Sequence, residues 1–203
     1  VLDQGKVIER KEISKDLAWD MLKNEFRIYA HRLPVFFSLK WKGNADQIRL
    51  SRSGKQNEHS KISLIKQQQE LMIPLEYGTY FFTLLKTSES VESVESSSYT
   101  VQVWPAEKIF YLSPLPRDRV DQQVGEMFSW SESHQAVRYH LQISNTIEFN
   151  QILFEKVGNT QQMDVRTQEF GPLYWRVVGE DEVGTLIPAQ YGQLFYSVLE
   201  PLA

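Results

Sequence analysis

The sequence predicts an all-β protein made of two tandem antiparallel β-sandwiches, with one short helix ahead of the first. Three observations carry this. The segment Gly171 to Val178, Gly-Pro-Leu-Tyr-Trp-Arg-Val-Val, has a counterpart in the same register at Gly78 to Leu85, Gly-Thr-Tyr-Phe-Phe-Thr-Leu-Leu. A tryptophan, Trp41 or Trp130, closes an alternating apolar segment early in each half. The remaining apolar segments are about four to seven residues long and are punctuated by Gly, Pro, Asn and Asp, which is the length and turn chemistry of strands.

In chain order, residues 1–24 form an extension. Val7 and Ile8 form an apolar pair in a largely polar stretch that ends at Glu12. From Ser14, a residue suited to capping, Leu17, Ala18, Met21 and Leu22 fall at helical spacing and predict a short helix beside Trp19. The first sandwich is expected over 25–106. Phe26, Ile28 and Ala30 alternate with polar residues, and after Pro34 the residues Phe37, Leu39 and Trp41 share one face. Lys42 to Asp46 is a turn, Ile48 and Leu50 mark the next strand, and Ser53 to Ser60 is a polar loop. Ile62 to Ile65 and Leu71 to Leu75 lead into the Gly78 strand. The serine- and glutamate-rich run from Lys86 to Ser98 is a solvated hairpin loop before Tyr99 to Val103.

The second sandwich is expected over 107–203. Ile109 to Leu112 is a strand stopped by Pro114 and Pro116, and Arg117 to Asp121 is a polar connection. Phe128-Ser-Trp130 repeats the phase of Leu39-Lys-Trp41. After the turn at Ser131 to Gln135, Tyr139, Leu141 and Ile143 face one way, and Arg138, His140 and Gln142 the other. Ser144 to Phe149 is a turn, Gln151 to Val157 a strand, Glu180 to Gly184 a hairpin turn, and Gly192 to Leu199 the last strand. Trp41 and Trp130 stand 89 residues apart and Gly78 and Gly171 stand 93 apart, a difference that loops absorb.

The chain has 203 residues, enough for two domains with cores of their own. It has no cysteine, which excludes disulfides, thiolate metal sites and cysteine nucleophiles. With 22 basic and 26 acidic side chains the net charge is −4, so no nucleic-acid partner is expected. No apolar run approaches the roughly 20 residues of a membrane span. The chain opens at Val1 without a signal-peptide pattern and reads as a fragment or a processed form, so any export signal or membrane anchor would lie outside it.

About seven short strands per copy, with an inward tryptophan early in each, fit an immunoglobulin-like or fibronectin type III-like sandwich. In that arrangement Trp41 packs near Tyr80 and Phe82, and Trp130 near Leu173 and Trp175. The succession Phe128-Ser-Trp130, Ala136-Val-Arg-Tyr139-His-Leu-Gln-Ile143-Ser, Phe149 and Gly171-Pro-Leu-Tyr174-Trp175-Arg176-Val177 resembles fibronectin type III-like repeats of bacterial envelope proteins, notably those downstream of FecR-type domains. It covers residues 108–199 well. Over 25–104 the likeness is weaker: Trp41, Gly78, Tyr80 and Phe82 match, while Thr83 holds the arginine position and the Phe149 region has no counterpart. The second copy in turn has Leu173 where the first has Tyr80. The resemblance implies a non-catalytic module in the periplasm or cell envelope.

No phosphate loop, His-Glu-x-x-His pair or Gly-x-Ser-x-Gly elbow occurs, so no catalytic residue, cofactor or metal is assigned. Glu180, Asp181 and Glu182 share one turn, where calcium is the alternative to a solvated hairpin. Between Lys40 and Lys66 lie seven basic residues, Lys40, Lys42, Arg49, Arg52, Lys55, Lys61 and Lys66, against Asp46 and Glu58. With Lys40, Arg49 and Lys42 on the outward side of neighbouring strands and Arg52 close by in sequence, this is a candidate surface for an anionic polymer or lipid headgroups; the alternative is a solvated sheet face. Alternation along the repeated strand leaves Tyr174 and Arg176 outside, completing the candidate binding residues. Phe36, Phe81 and Tyr174 are the outer aromatics available to stack on a sugar. The leading expectation is a spacer or protein-interaction module, with a glycan- or peptidoglycan-binding module and an accessory or sensory domain as alternatives.

The assignment of Trp130 to the core is tested by Trp130→Ala, expected to cost about 3 to 5 kcal/mol in urea unfolding. A loss below about 1 kcal/mol would place that face outside.

Overall fold

The computed structural model describes residues 18–21, 23–53, 59–65, 68–86, 94–122 and 124–198. They fall into two compact units, one comprising residues up to Ile28 with Arg32–Trp104, the other Tyr29–His31 with Pro105 onward. Among the described residues every regular element is a strand.

The first half carries β1 (Ala18–Trp19), β2 (Glu25–Ala30), β3 (Val35–Lys42), β4 (Gln47–Arg52), β5 (His59–Ser63), β6 (Glu70–Leu75), β7 (Gly78–Lys86), β8 (Val94–Glu95) and β9 (Tyr99–Pro105). One sheet has the order β1-β3-β6 and the other β2-β9-β7-β4-β5, with β8 on β7. Their inner faces meet in a core of Phe37, Leu39 and Trp41 from one sheet and Ile48, Tyr80, Phe82, Leu84, Val101 and Val103 from the other. Period-2 alternation is the reason: on β3 the inward residues are apolar, while Phe36, Lys40 and Lys42 between them are exposed.

The expected helix is overturned where residues are described. Ala18 and Trp19 form β1, with Ala18 opposite Lys42 and Trp19 opposite Trp41. The Trp19 ring meets Trp41 edge-on at 6.5 Å and Tyr99 at 5.5 Å, and its Nε1 donates to the Ser97 carbonyl at 2.9 Å. An aromatic cluster that also satisfies the indole N–H outweighs the small helical preference of so short a stretch. Ser14, Leu17 and Leu22, like Val7 and Ile8, lie outside the described residues.

The second half repeats the plan with β10 (Tyr111–Ser113), β11 (Arg119–Asp121), β12 (Glu126–Trp130), β13 (Arg138–Ser144), β14 (Phe154–Gly158), β15 (Gln162–Val165), β16 (Gly171–Glu180), β17 (Leu186–Ile187) and β18 (Gln193–Val198). The sheets are β10-β12-β15 and β11-β18-β16-β13-β14, with β17 on β16. Phe128, Trp130, Tyr139, Leu141, Ile143, Leu173, Trp175, Val177 and Phe195 fill the space between them. Trp175 lies 5.1 Å from Phe128 and 4.5 Å from Tyr111, and the ring beside Trp130 is Tyr139 at 5.6 Å. Both Gly78 and Gly171 have positive φ, +145° and +90°, so the repeated strand starts each time from backbone that side chains disfavour.

Several short elements depart from expectation, among them these three. Arg119–Asp121 is a strand running parallel to β18 rather than a connection. Val94–Glu95 pairs with the end of β7 inside the serine-rich run. The strand placed at Gln151 to Val157 begins only at Phe154. Only the first is held by a partner distant in sequence, β18, which local periodicity does not report; Val94–Glu95 and β14 pair with the strands just before them.

Two core tyrosines provide a pH test. Burial pushes both the Tyr99 and Tyr111 hydroxyls up to about 12. The folded state thus holds these protons more tightly than the unfolded chain, whose tyrosines ionise near pH ~10. Stability is expected to be unaffected by them below that point and to fall as pH rises from there toward about 12. Ultraviolet difference titration should show these two phenols ionising later than the exposed tyrosines. Their ionisation together with the exposed tyrosines, the fold intact, would contradict the burial.

Candidate binding face

The basic run does not form one surface. Lys40 and Lys42 project from β3 on the outer side of the β1-β3-β6 sheet, whereas Arg49 and Arg52 lie on β4 in the other sheet. Between β3 and β4 the chain crosses from one sheet to the other, so Lys40 and Lys42 leave the sandwich on one side and Arg49 on the other, while Arg52 shares the phase of Ile48 and Leu50 at the end of β4, opposite Tyr80. Several of these cations also meet an acid nearby. Lys40 Nζ is 3.5 Å from Glu70, Lys42 Nζ is 2.9 Å from Asp20, and Arg49 Nη2 donates to Glu95 at 2.8 Å. Arg52 donates to the Tyr77 carbonyl, and its guanidinium lies 5.5 Å from the Tyr80 ring centroid. Lys55 and Lys66 fall outside the described residues, while Lys61 is exposed on β5. The outer aromatics are likewise separated: Phe36 is on β3, Phe81 on β7 and Tyr174 on β16.

Tyr174 and Arg176 do share a face. On β16 the residues Leu173, Trp175 and Val177 are buried, and Pro172, Tyr174 and Arg176 point the other way. The cross-strand register sets Pro172 opposite Tyr196, and Tyr174 opposite Leu194 on one side and Ser144 on the other. Arg176 is opposite Gln142, which in turn is opposite Glu155. The outer surface of this sheet thus has an apolar, aromatic half of Pro172, Tyr174, Leu194 and Tyr196 beside a polar half of Arg176, Gln142, Glu155 and His140.

The polar half is one hydrogen-bonded chain. Arg176 Nε donates to Gln142 Oε1 at 2.8 Å, and Gln142 Nε2 donates to Glu155 Oε1 at 2.7 Å. His140 stands between two carboxylates, Nδ1 at 3.3 Å from Glu155 and Nε2 at 2.8 Å from Glu180. Arg138 reaches Glu180 at 3.5 Å. The Arg176 guanidinium lies 4.3 Å from the centroid of Phe149, a cation–π arrangement. Burial pushes the Arg176 pKa below its ordinary value, opposed by the negative charges of Tyr111, when ionised, and Glu155.

Phe149 reaches this position because of a glycine. Tyr174 pairs with Leu194 and Trp175 with Gln193, so continuing the register sets Gly192 beside Arg176. A Cβ there would come within 2.4 Å of Phe149 Cε2, so the ring fills the place a side chain at 192 would take. Phe149 itself has φ +54°. The alternation of β13 and β16 points to the outward polar residues, but nothing local in the sequence brings Phe149 under Arg176.

The acidic turn is also explained by its bonds. Asp181 Oδ1 accepts from the backbone N–H groups of Val183 at 3.0 Å and Thr185 at 2.7 Å, holding the β16–β17 hairpin. Among the described residues no group of three His, Asp or Glu side chains is placed to hold a metal ion. Glu107, which sequence reasoning passed over, accepts from Ser133 Oγ at 2.7 Å and fixes the turn before β13. That bond holds its carboxyl below the usual range.

No protein-family model matches the chain, and no curated relative does. Among solved structures it is similar to fibronectin(III)-like modules of Clostridium thermocellum CbhA, at 9% identity and a TM-score of 0.51, covering 91% of this chain and 94% of that one. A two-domain fibronectin type III segment of chicken tenascin matches at 10% identity and a TM-score of 0.30, over 82% of this chain and 95% of that one. The likeness to the CbhA modules shows a fibronectin type III-like fold.

Gly192→Ala is expected to displace Phe149 and destabilise the protein by about 1 to 3 kcal/mol in urea unfolding, an overpacking cost. A change under about 0.5 kcal/mol would mean the ring has room to slide.

Proposed function

We propose that the chain is a non-catalytic structural and protein-interaction module of a bacterial cell-envelope protein, made of two sandwiches at 25–106 and 107–203. In this reading it accompanies a FecR-type domain in the periplasm and meets its partner on the outer face of the second sandwich. The observation that carries it is the open face on which Pro172, Tyr174, Leu194 and Tyr196 adjoin an ordered polar network. Tyrosine supplies contact area at low entropic cost, which suits an interface. The fibronectin type III-like fold is consistent with it, since the fold places recognition on its surface.

A photo-crosslinking amino acid at position 196 of the full-length protein in cells is expected to yield a defined adduct in the envelope fraction. The same probe at 127, exposed on the second half's other sheet, should not. Equal yields, or none, would remove this face from the reading. Retention of the purified chain on cell-wall polymer at low salt would favour the glycan-binding alternative instead.

A further inference from the structure

The geometry around Arg176 points to a receptor for a single carboxylate, and we propose that it takes an aspartate, a glutamate or a C-terminus of a partner polypeptide. This rests on the interaction-module reading and names the chemistry of its contact.

Arg176 is committed to the protein through one atom only. Its Nε donates to Gln142 and its plane covers Phe149, while among the described residues nothing accepts from either Nη. No carboxylate of the described residues lies within ion-pair distance of it, in contrast to Arg49, which pairs with Glu95, and Arg138, which pairs with Glu180. The nearest acid on this face is drawn elsewhere: Glu155 accepts from Gln142 and faces His140. Gln142 therefore acts as a neutral spacer, orienting the guanidinium through its carbonyl oxygen while its amide holds Glu155 away. The result is a partly desolvated cation, fixed in orientation, with its two outer nitrogens unused. A planar fork of this kind matches a carboxylate through two parallel hydrogen bonds.

The surroundings narrow the ligand further. On one side stands the row Tyr174, Leu194, Pro172 and Tyr196, with Tyr174 about 7 Å along the strand from Arg176. On the other stand Glu155 and Glu180. A polyanion such as a polyuronate would extend its next charges toward those carboxylates or across the apolar row, which meets a cation only beyond Tyr196, at Arg119. An isolated carboxylate in an otherwise apolar peptide meets neither penalty.

The test uses the full chain, labelled for detection of arginine Nε–H and glutamine side-chain signals. It is titrated with a blocked tripeptide carrying one aspartate between apolar residues, with the same peptide carrying asparagine, and with a uronate oligomer. The aspartate peptide should move the Arg176 and Gln142 signals saturably. The asparagine peptide should bind at least about ten-fold more weakly, having lost the charge-assisted pair. Arg176→Lys should weaken the aspartate peptide by about ten-fold, because a point charge replaces the fork. Linear or absent shifts with the wild-type chain, or equal response to the asparagine peptide, overturn the proposal. Tighter binding of the uronate oligomer overturns it in favour of a glycan. The wild-type titrations decide the matter even if Arg176→Lys unfolds. Loss of the carboxylate site with the position-196 adduct intact would leave the interaction-module reading standing.

Discussion

Burial of the tryptophan pair of each half between its two sheets is the interaction on which the rest of the molecule depends. Trp19 and Trp41 lie in the core of the first half, and Trp130 and Trp175 in that of the second, each with at most 9% of its surface exposed. Burying an indole removes on the order of 200 Å² from water, worth about 5 kcal/mol at about 25 cal/mol per Å². The cost is visible: the Nε1 groups of Trp41, Trp130 and Trp175 are buried without an acceptor among the described residues. An unsatisfied donor costs about 1 to 3 kcal/mol, so burial wins at each site, though by less than area alone suggests. Once these rings are inside, alternation fixes the face of every other residue on their strands. A strand cannot slip by one residue without moving its tryptophan into water.

That constraint explains how much of the fold was legible. The inward phase of β3, β12, β13 and β16 follows from Trp41, Trp130, Tyr139 and Trp175 and needs no knowledge of strand partners. Trp19 shows the limit of the method. Its neighbours are spaced as a helix would space them, yet its position is decided by Trp41 and Tyr99, and by the Ser97 carbonyl 78 residues away. Local pattern carries no information about an acceptor at that distance. The same holds for Arg119–Asp121, whose partner strand is β18.

The candidate site was legible in one dimension only. Alternation separates outward from inward, and it correctly leaves Lys40, Lys42, Tyr174 and Arg176 out of the core. It does not say which sheet a strand joins. Lys42 and Arg49 are close in sequence, but the chain changes sheets between them. Neighbouring cations therefore face opposite solvents, and Lys42 and Arg49 each meet an acid on their own side. A basic run in a sandwich becomes a basic surface only if the strands carrying it are hydrogen-bonded neighbours.

Tyr174 and Arg176 escape this difficulty because they lie on one strand, two residues apart, and no crossover can separate them. What distinguishes Arg176 from Arg49 and Arg138 is that its partners are neutral. Arg49 and Arg138 are neutralised by glutamates, and Arg52 rests on a carbonyl and a ring. Arg176 has a ring and an amide, both neutral, and the ring is there only because residue 192 has no side chain. A glutamate at position 142 would pair with the arginine directly but would stand opposite Glu155, where like charges repel. A glutamine there keeps the guanidinium oriented and leaves its charge available to whatever the face meets.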